Sequence, residues 1–161
     1  MGRLPPPGLL LKRLLLFFWT VFFAMIALSN LVDWLGEIGV LDWTFMDSNN
    51  FGYLRSVVDV YDVGAGATKA LLFGAFLIET IGAILFGAAL LRFRSGEAGS
   101  RLAIYAVCWS ILAWSAFIFA VELFVAFEAE SVFRELLLLS VVSGMAVVVI
   151  PDDVPGPARN D

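Results

Sequence analysis

Apolar residues in this chain run in blocks too long for the helices of a small soluble core. Four predominantly apolar stretches cover residues 14–35, 67–92, 102–127 and 132–150. A helix rises about 1.5 Å per residue, so about 20 residues cross a hydrocarbon layer about 30 Å thick. The pattern therefore predicts an all-α fold, an integral membrane four-helix bundle forming a single domain over residues 1–161. The fourth stretch is the shortest. Its strict run is 136–150, and it reaches across only when Val132 and Phe133 are included and Arg134 and Glu135 extend toward the headgroups. Pro151 stops it.

The first stretch follows Lys12 and Arg13 and contains Phe17, Phe18, Trp19, Phe22 and Phe23. A basic start, an apolar middle and small Ala27 and Ser29 also describe a cleaved leader. The length of the run and its bulky residues favour a retained span. Its end is polar: Asn30, Asp33, Trp34 and Glu37 share one helical face, and Gly36 and Gly39 then end the helix. Asn30 lies about one turn inside the apolar run and needs a partner there.

Residues 36–66 form a long loop mixing acids with aromatics. Within it, Phe51, Leu54, Val58 and Tyr61 fall on one face of a short amphipathic helix, with Arg55, Asp59 and Asp62 elsewhere. Ser48 or Asn50 is the expected N-cap. This helix is expected at the membrane surface or as a cap over the bundle. Trp43, Phe45, Phe51 and Tyr53 are the candidate surface for a partner.

Glu79 stands alone in the second stretch, with no other charge between Lys69 and Arg92. Insertion scales assign about 2.5–3.5 kcal/mol to Asp, Lys or Arg at a helix centre, and an ionised Glu belongs in that range. Ala75, Glu79, Ala83 and Gly87 recur every fourth residue, and Ala70, Gly74 and Gly82 line the adjacent strip. Small residues at that spacing let membrane helices approach closely, so Glu79 is expected to face the bundle. It is then either interhelical glue or a proton or cation site. Glu122, near the end of the third stretch, shares a line with Cys108 and Ser115, while Ala106, Ala113 and Ala120 form a second line. Glu79, Glu122, Asn30 and Asp33 are the candidate intramembrane polar site. Ser140, Ser143 and Gly144 give the fourth stretch a small polar face, and Ser115 and Ser143 read as interhelical hydrogen bonders.

Composition narrows the chemistry. Hydrophobic residues make up 61% of the chain and charged ones 16%, against about 45–50% and 25% for soluble domains. A formal charge of −5 with no basic cluster excludes a nucleic-acid binder. The sequence holds no histidine and a single cysteine, Cys108. Histidine-held haem, zinc or copper, intrachain disulfides and Cys-x-x-Cys chemistry are all removed. No cofactor is expected in the chain itself, and carboxylates are the remaining ligands for a hard cation. With no nucleophile–base set, phosphate loop or metal motif, an enzyme is the weakest reading.

Four spans put both termini on one side. Arg3, Lys12, Arg13, Arg92, Arg94, Arg101 and Arg159 fall there, against Arg55, Lys69 and Arg134 on the other. The excess marks the cytoplasm, so both termini are expected inside and the acidic loop outside.

The succession Asn30-x-x-Asp33, Asn50-Phe51, Glu79 within LIETIGAILFGAALL and Glu122 within FAVELF resembles bacterial families of predicted small integral membrane proteins of unknown function. Those have four spans with an acid in the second and third. The interval from Asp33 to Asn50 is longer here, and the resemblance implies no activity. Disulfide-forming quinone-linked proteins need paired cysteines. Four-span drug exporters carry their acid in the first span, where this chain has only Asp33 at the end. The first functional expectation is an accessory or structural subunit of a larger membrane complex, its partners being the lipid bilayer and other subunits or its own copies. The alternative is a small proton- or cation-coupled transporter or channel built on Glu79.

Overall fold

The computed structural model describes residues 6–45, 47–93 and 97–151. Arg3, Met46, Arg94, Ser95, Gly96, Arg159 and the Pro155, Gly156 and Pro157 tail lie outside them. Five helices follow in order: α1 Pro7–Glu37, α2 Asn50–Val58, α3 Ala65–Arg92, α4 Glu97–Leu123 and α5 Glu130–Val149. A 3₁₀ turn, Asp59–Tyr61, extends α2, and another, Phe127–Ala129, leads into α5. The fold is all-α. Four of its helices are long and apolar enough to cross a membrane, which fits a small integral membrane protein. Gly8 lies directly against Pro151, so the described ends meet at one end of the bundle, the terminal end.

Two boundaries differ from the expected ones for identifiable reasons. α1 starts seven residues early because Pro7 suits a first turn, where no N–H is needed. The extra turns carry Lys12, which is buried, and Arg13, whose Nη2 donates to the Phe93 carbonyl (2.9 Å) just beyond α3. α4 stops four residues short of 127. There the Ala126 N–H reaches the Val121 carbonyl, the Val125 N–H reaches that of Glu122, and Val125 adopts φ 57°. This is the same left-handed turn that ends α1, where Gly39 (φ 76°) takes the corresponding position.

The main packing is α1 on α3, α4 on α5 and α3 on α4. On α3 the buried line runs Thr68, Leu72, Glu79, Gly82, Phe86, Ala89, so the carboxylate sits within the packing stripe. Gly82 fits under the Phe23 ring, where a Cβ would stand 2.7 Å from it. Six rings then form a row through the bundle: Trp19, Phe86, Phe23, Trp114, Phe133 and Phe117. Neighbouring centroids are 5.3–6.3 Å apart and each pair is tilted by only 19–20°. Hydroxyls tie α5 to this row, as its small polar face predicts. Trp19 Nε1 donates to Ser143 (3.0 Å), Trp114 Nε1 to Ser110 (3.0 Å), and Ser110 pairs with Ser140 (2.6 Å). Ser140 and Ser143 also bond carbonyls four residues back, so these polar groups are satisfied inside an apolar bundle.

Candidate functional site

Glu79 is 5% exposed, and its Oε2 accepts a hydrogen bond from Asn30 Nδ2 at 2.7 Å. The polar residue stranded inside the first span and the lone carboxylate of the second are therefore each other's partners. Depth follows from a ruler built into the same two helices. Lys69 pairs with Glu37 (3.6 Å) and also donates to the Glu37 carbonyl. Glu79 lies ten residues further along α3 than Lys69, about 15 Å of helix, a length equal to half of a hydrocarbon layer about 30 Å thick.

Of the two expected placements of the loop helix, α2 takes the second, packing on α1 and α3 with Val58 buried and Tyr53, Arg55 and Ser56 exposed. Asn50, its first residue, donates through Nδ2 to Ser29 (2.7 Å), which is eight residues or about 12 Å down α1 from Glu37. A chain end at that depth needs its backbone satisfied. Asp33 does this: its Oδ2 accepts the Asn50 N–H (2.5 Å) and its Oδ1 accepts the Ser48 hydroxyl (2.6 Å). The residues expected to cap α2 are thus engaged elsewhere, and Asn49 caps it, accepting from the Gly52 N–H at 3.1 Å. Val58 is fully buried and Phe51 and Leu54 partly so, as the apolar face predicts. Tyr61 stands apart in the 3₁₀ turn, donating to the Leu123 carbonyl (2.7 Å).

Two clefts meet at this polar group. One, about 270 Å³, is walled by Phe22, Ile26, Trp114 and Leu136. The other, about 470 Å³, lies between α2, α3 and α4. Asn30, Asn50, Glu79 and Phe133 line both. The larger exists because its walls are small: Ala70, Gly74 and Ala75 on α3 face Ala116 and Ala120 on α4. A Cβ on Gly74 would meet nothing within 4 Å. The expected close approach along Ala70, Gly74 and Gly82 therefore holds at Gly82 alone, and the upper part of that strip lines a cavity.

Glu122 does not join the site. It is exposed, with Cys108, on the outward line of α4, while Ala106 and Ala113 occupy the buried line. Asp33 joins indirectly, holding Asn50 in place. Trp43, Phe45, Phe51 and Tyr53 do not share one face. Trp43 and Phe51 line a separate hollow of about 250 Å³ beside Asp33, Glu37 and Asp42. Phe51 also lies under the Lys69 ammonium at 5.9 Å. Tyr53 borders the large cleft, and Phe45 packs edge-on to Trp43. In the sequence Ser29 reads as a cleavage position, and Asn50 as a cap and as part of the resemblance. Ser29, beside Asn30 in the apolar run, carried the same signal, a polar group at a depth where it needs a partner, whereas Asn50 in the loop carried none.

Among the described residues no basic side chain pairs with Glu79, and no group of His, Cys, Asp or Glu is placed to hold a metal ion. No family model, curated protein or solved structure matches the chain.

Proposed function

We propose that the chain is a small ion-coupled carrier in which Glu79 takes up and releases a proton or a small cation. The observation that carries this reading is the Glu79–Asn30 pair at the junction of two open clefts, with no basic partner at hand. A buried carboxyl that served only as glue would be expected to have its oxygens occupied by neighbouring helices. Here the acid sits at mid-depth and stays reachable, which is the usual mark of an ion site inside a membrane. One turn from Glu79 toward the terminal end, Gly82 is closed by the Phe23 ring, and Phe23, Phe86 and Trp19 are buried there, which favours a carrier with one-sided access over an open channel. With the Lys and Arg balance placing both termini in the cytoplasm, the clefts face outward. The test is proton flux into liposomes holding the purified protein and a pH-sensitive dye. Glu79→Gln keeps the size and the Asn30 contact, and is expected to abolish flux. Unchanged flux in that variant removes the reading.

The exposed aromatics Trp43, Tyr53 and Tyr61 favour a second reading, an accessory subunit of a larger membrane complex. Aromatic rings at this level also suit a headgroup belt, which ranks it second. Purification in mild detergent separates the two: a heteromeric particle supports the subunit, and a homo-oligomer or monomer without companions counts against it.

A further inference from the structure

We propose that the large cleft holds the apolar part of a lipophilic primary amine, with the ammonium group on Glu79. This rests on the reading of Glu79 as the ion-binding carboxyl and names the class of its ligand. The first observation is shape. A cleft of about 470 Å³ falls in the usual range for small-molecule sites, about 300–1,000 Å³. Its walls are apolar over most of their length, from Leu71 and Ile78 on α3 to Phe117, Val121 and Phe124 on α4.

The second observation is the chemistry of its polar end. Asn30 spends Nδ2 on Glu79, and Asn50 spends Nδ2 on Ser29. Both amides are thereby oriented through their nitrogens. Asn30 Oδ1, Asn50 Oδ1 and Glu79 Oε1 make no hydrogen bond within the described chain. They are not among its sealed polar atoms either, because Thr80 Oγ1 is the one buried side-chain atom there without a partner. Three acceptors on residues that line the apolar cleft, one of them a carboxyl oxygen with no basic partner, match in number the three N–H donors of a primary ammonium. A fatty acid would bring a second negative charge to Glu79. An alcohol would satisfy one acceptor and leave the charge unpaired.

The third observation is access. Leu71 and Ala116 line the cleft from opposite helices and are both exposed, so the cleft reaches the outer surface of the bundle between α3 and α4. An amphiphile dissolved in the bilayer reaches it without crossing water. The ammonium and a proton then compete for one carboxyl: binding to the ionised form moves no proton, and binding to the protonated form makes the same ammonium–carboxylate pair and releases one.

The experiment measures binding of radiolabelled decylamine to the full-length protein in detergent, with unlabelled decylamine, decanol and decanoic acid as competitors. Decylamine is expected to bind about tenfold or more tightly than decanol, the worth of a charge-assisted hydrogen bond, and decanoic acid is expected not to compete. Glu79→Gln should bring decylamine down to the level of decanol. Gly74→Leu fills open space and should remove binding of both. Equal affinity for amine and alcohol in the unsubstituted protein overturns the proposal, as does unchanged binding in Gly74→Leu eluting as the same particle. Glu79-dependent proton flux without decylamine binding overturns the amine proposal and leaves the carrier standing. Decylamine binding without such flux does the reverse.

Discussion

Two glycines on one helix divide the molecule. Gly82 lies under the ring of Phe23, which leaves no room for a methyl group. Gly74, just over two turns away, faces empty space between α3 and α4. The same residue type on one α-helix closes one contact and opens another. What differs is what stands opposite. Large rings from α1 meet Gly82, while small Ala116 and Ala120 line the far wall beyond Gly74. Lipid tails supply no hydrophobic drive to close such a gap, so shape decides where helices touch. The packed half is the scaffold and the open half is the site.

That contrast can be broken most severely at its packed side. Phe23→Ala removes a fully buried ring from the middle of the row and is expected to cost about 3–5 kcal/mol. Thermal unfolding in detergent would read it, and a near-neutral result would mean the rings do not carry the fold. Gly82→Ala should cost about 1–3 kcal/mol by displacing the Phe23 ring. Gly74→Ala should change stability by about 0.5 kcal/mol or less, in line with other substitutions made away from packed features. Equal effects at the two glycines would erase the distinction between the halves. On the open side, Asp33→Ala leaves the Asn50 N–H and the Ser48 hydroxyl without their acceptor, at about 1–3 kcal/mol. Hydrogen exchange should show α2 losing protection while α4 and α5 keep theirs. One substitution is expected to be a gain. Val125→Gly relieves a left-handed β-branched residue at the end of α4 and should stabilise by about 1 kcal/mol, whereas Gly39→Val at the matching turn of α1 should lose a similar amount.

Much of the scaffold was legible, because length and hydropathy alone identify a helix that crosses a membrane. The inward orientation of Glu79 was legible too, from the small residues around it, as was the need of Asn30 for a partner. Their pairing was not. It depends on how α1 and α3 are rotated about their axes, and a single sequence carries no register between helices. Glu122 shows the cost of that gap. α4 offers a polar line and a small-residue line, and the small line, Ala106 and Ala113, occupies the contact and turns Glu122 outward. The choice between the two placements of α2 was hidden for a different reason. An amphipathic pattern says that one face is covered without saying by what, and Ser48, Asn49 and Asn50 all qualify as caps. Asp33 engages two of them and leaves the third to start the helix.

The most direct test of the account is the accessibility of position 79 from each side of the membrane. Glu79→Cys in a Cys108→Ser background, reconstituted in one orientation, is treated with a water-soluble, membrane-impermeant thiol reagent added to one side at a time. Labelling is expected from the side that carries α2 and not from the side of the termini, with protection when Gly74→Leu is added to fill the large cleft. Labelling from the side of the termini, or from neither side, would contradict a reachable mid-membrane carboxyl closed off on one side by the packing of Phe23 on Gly82.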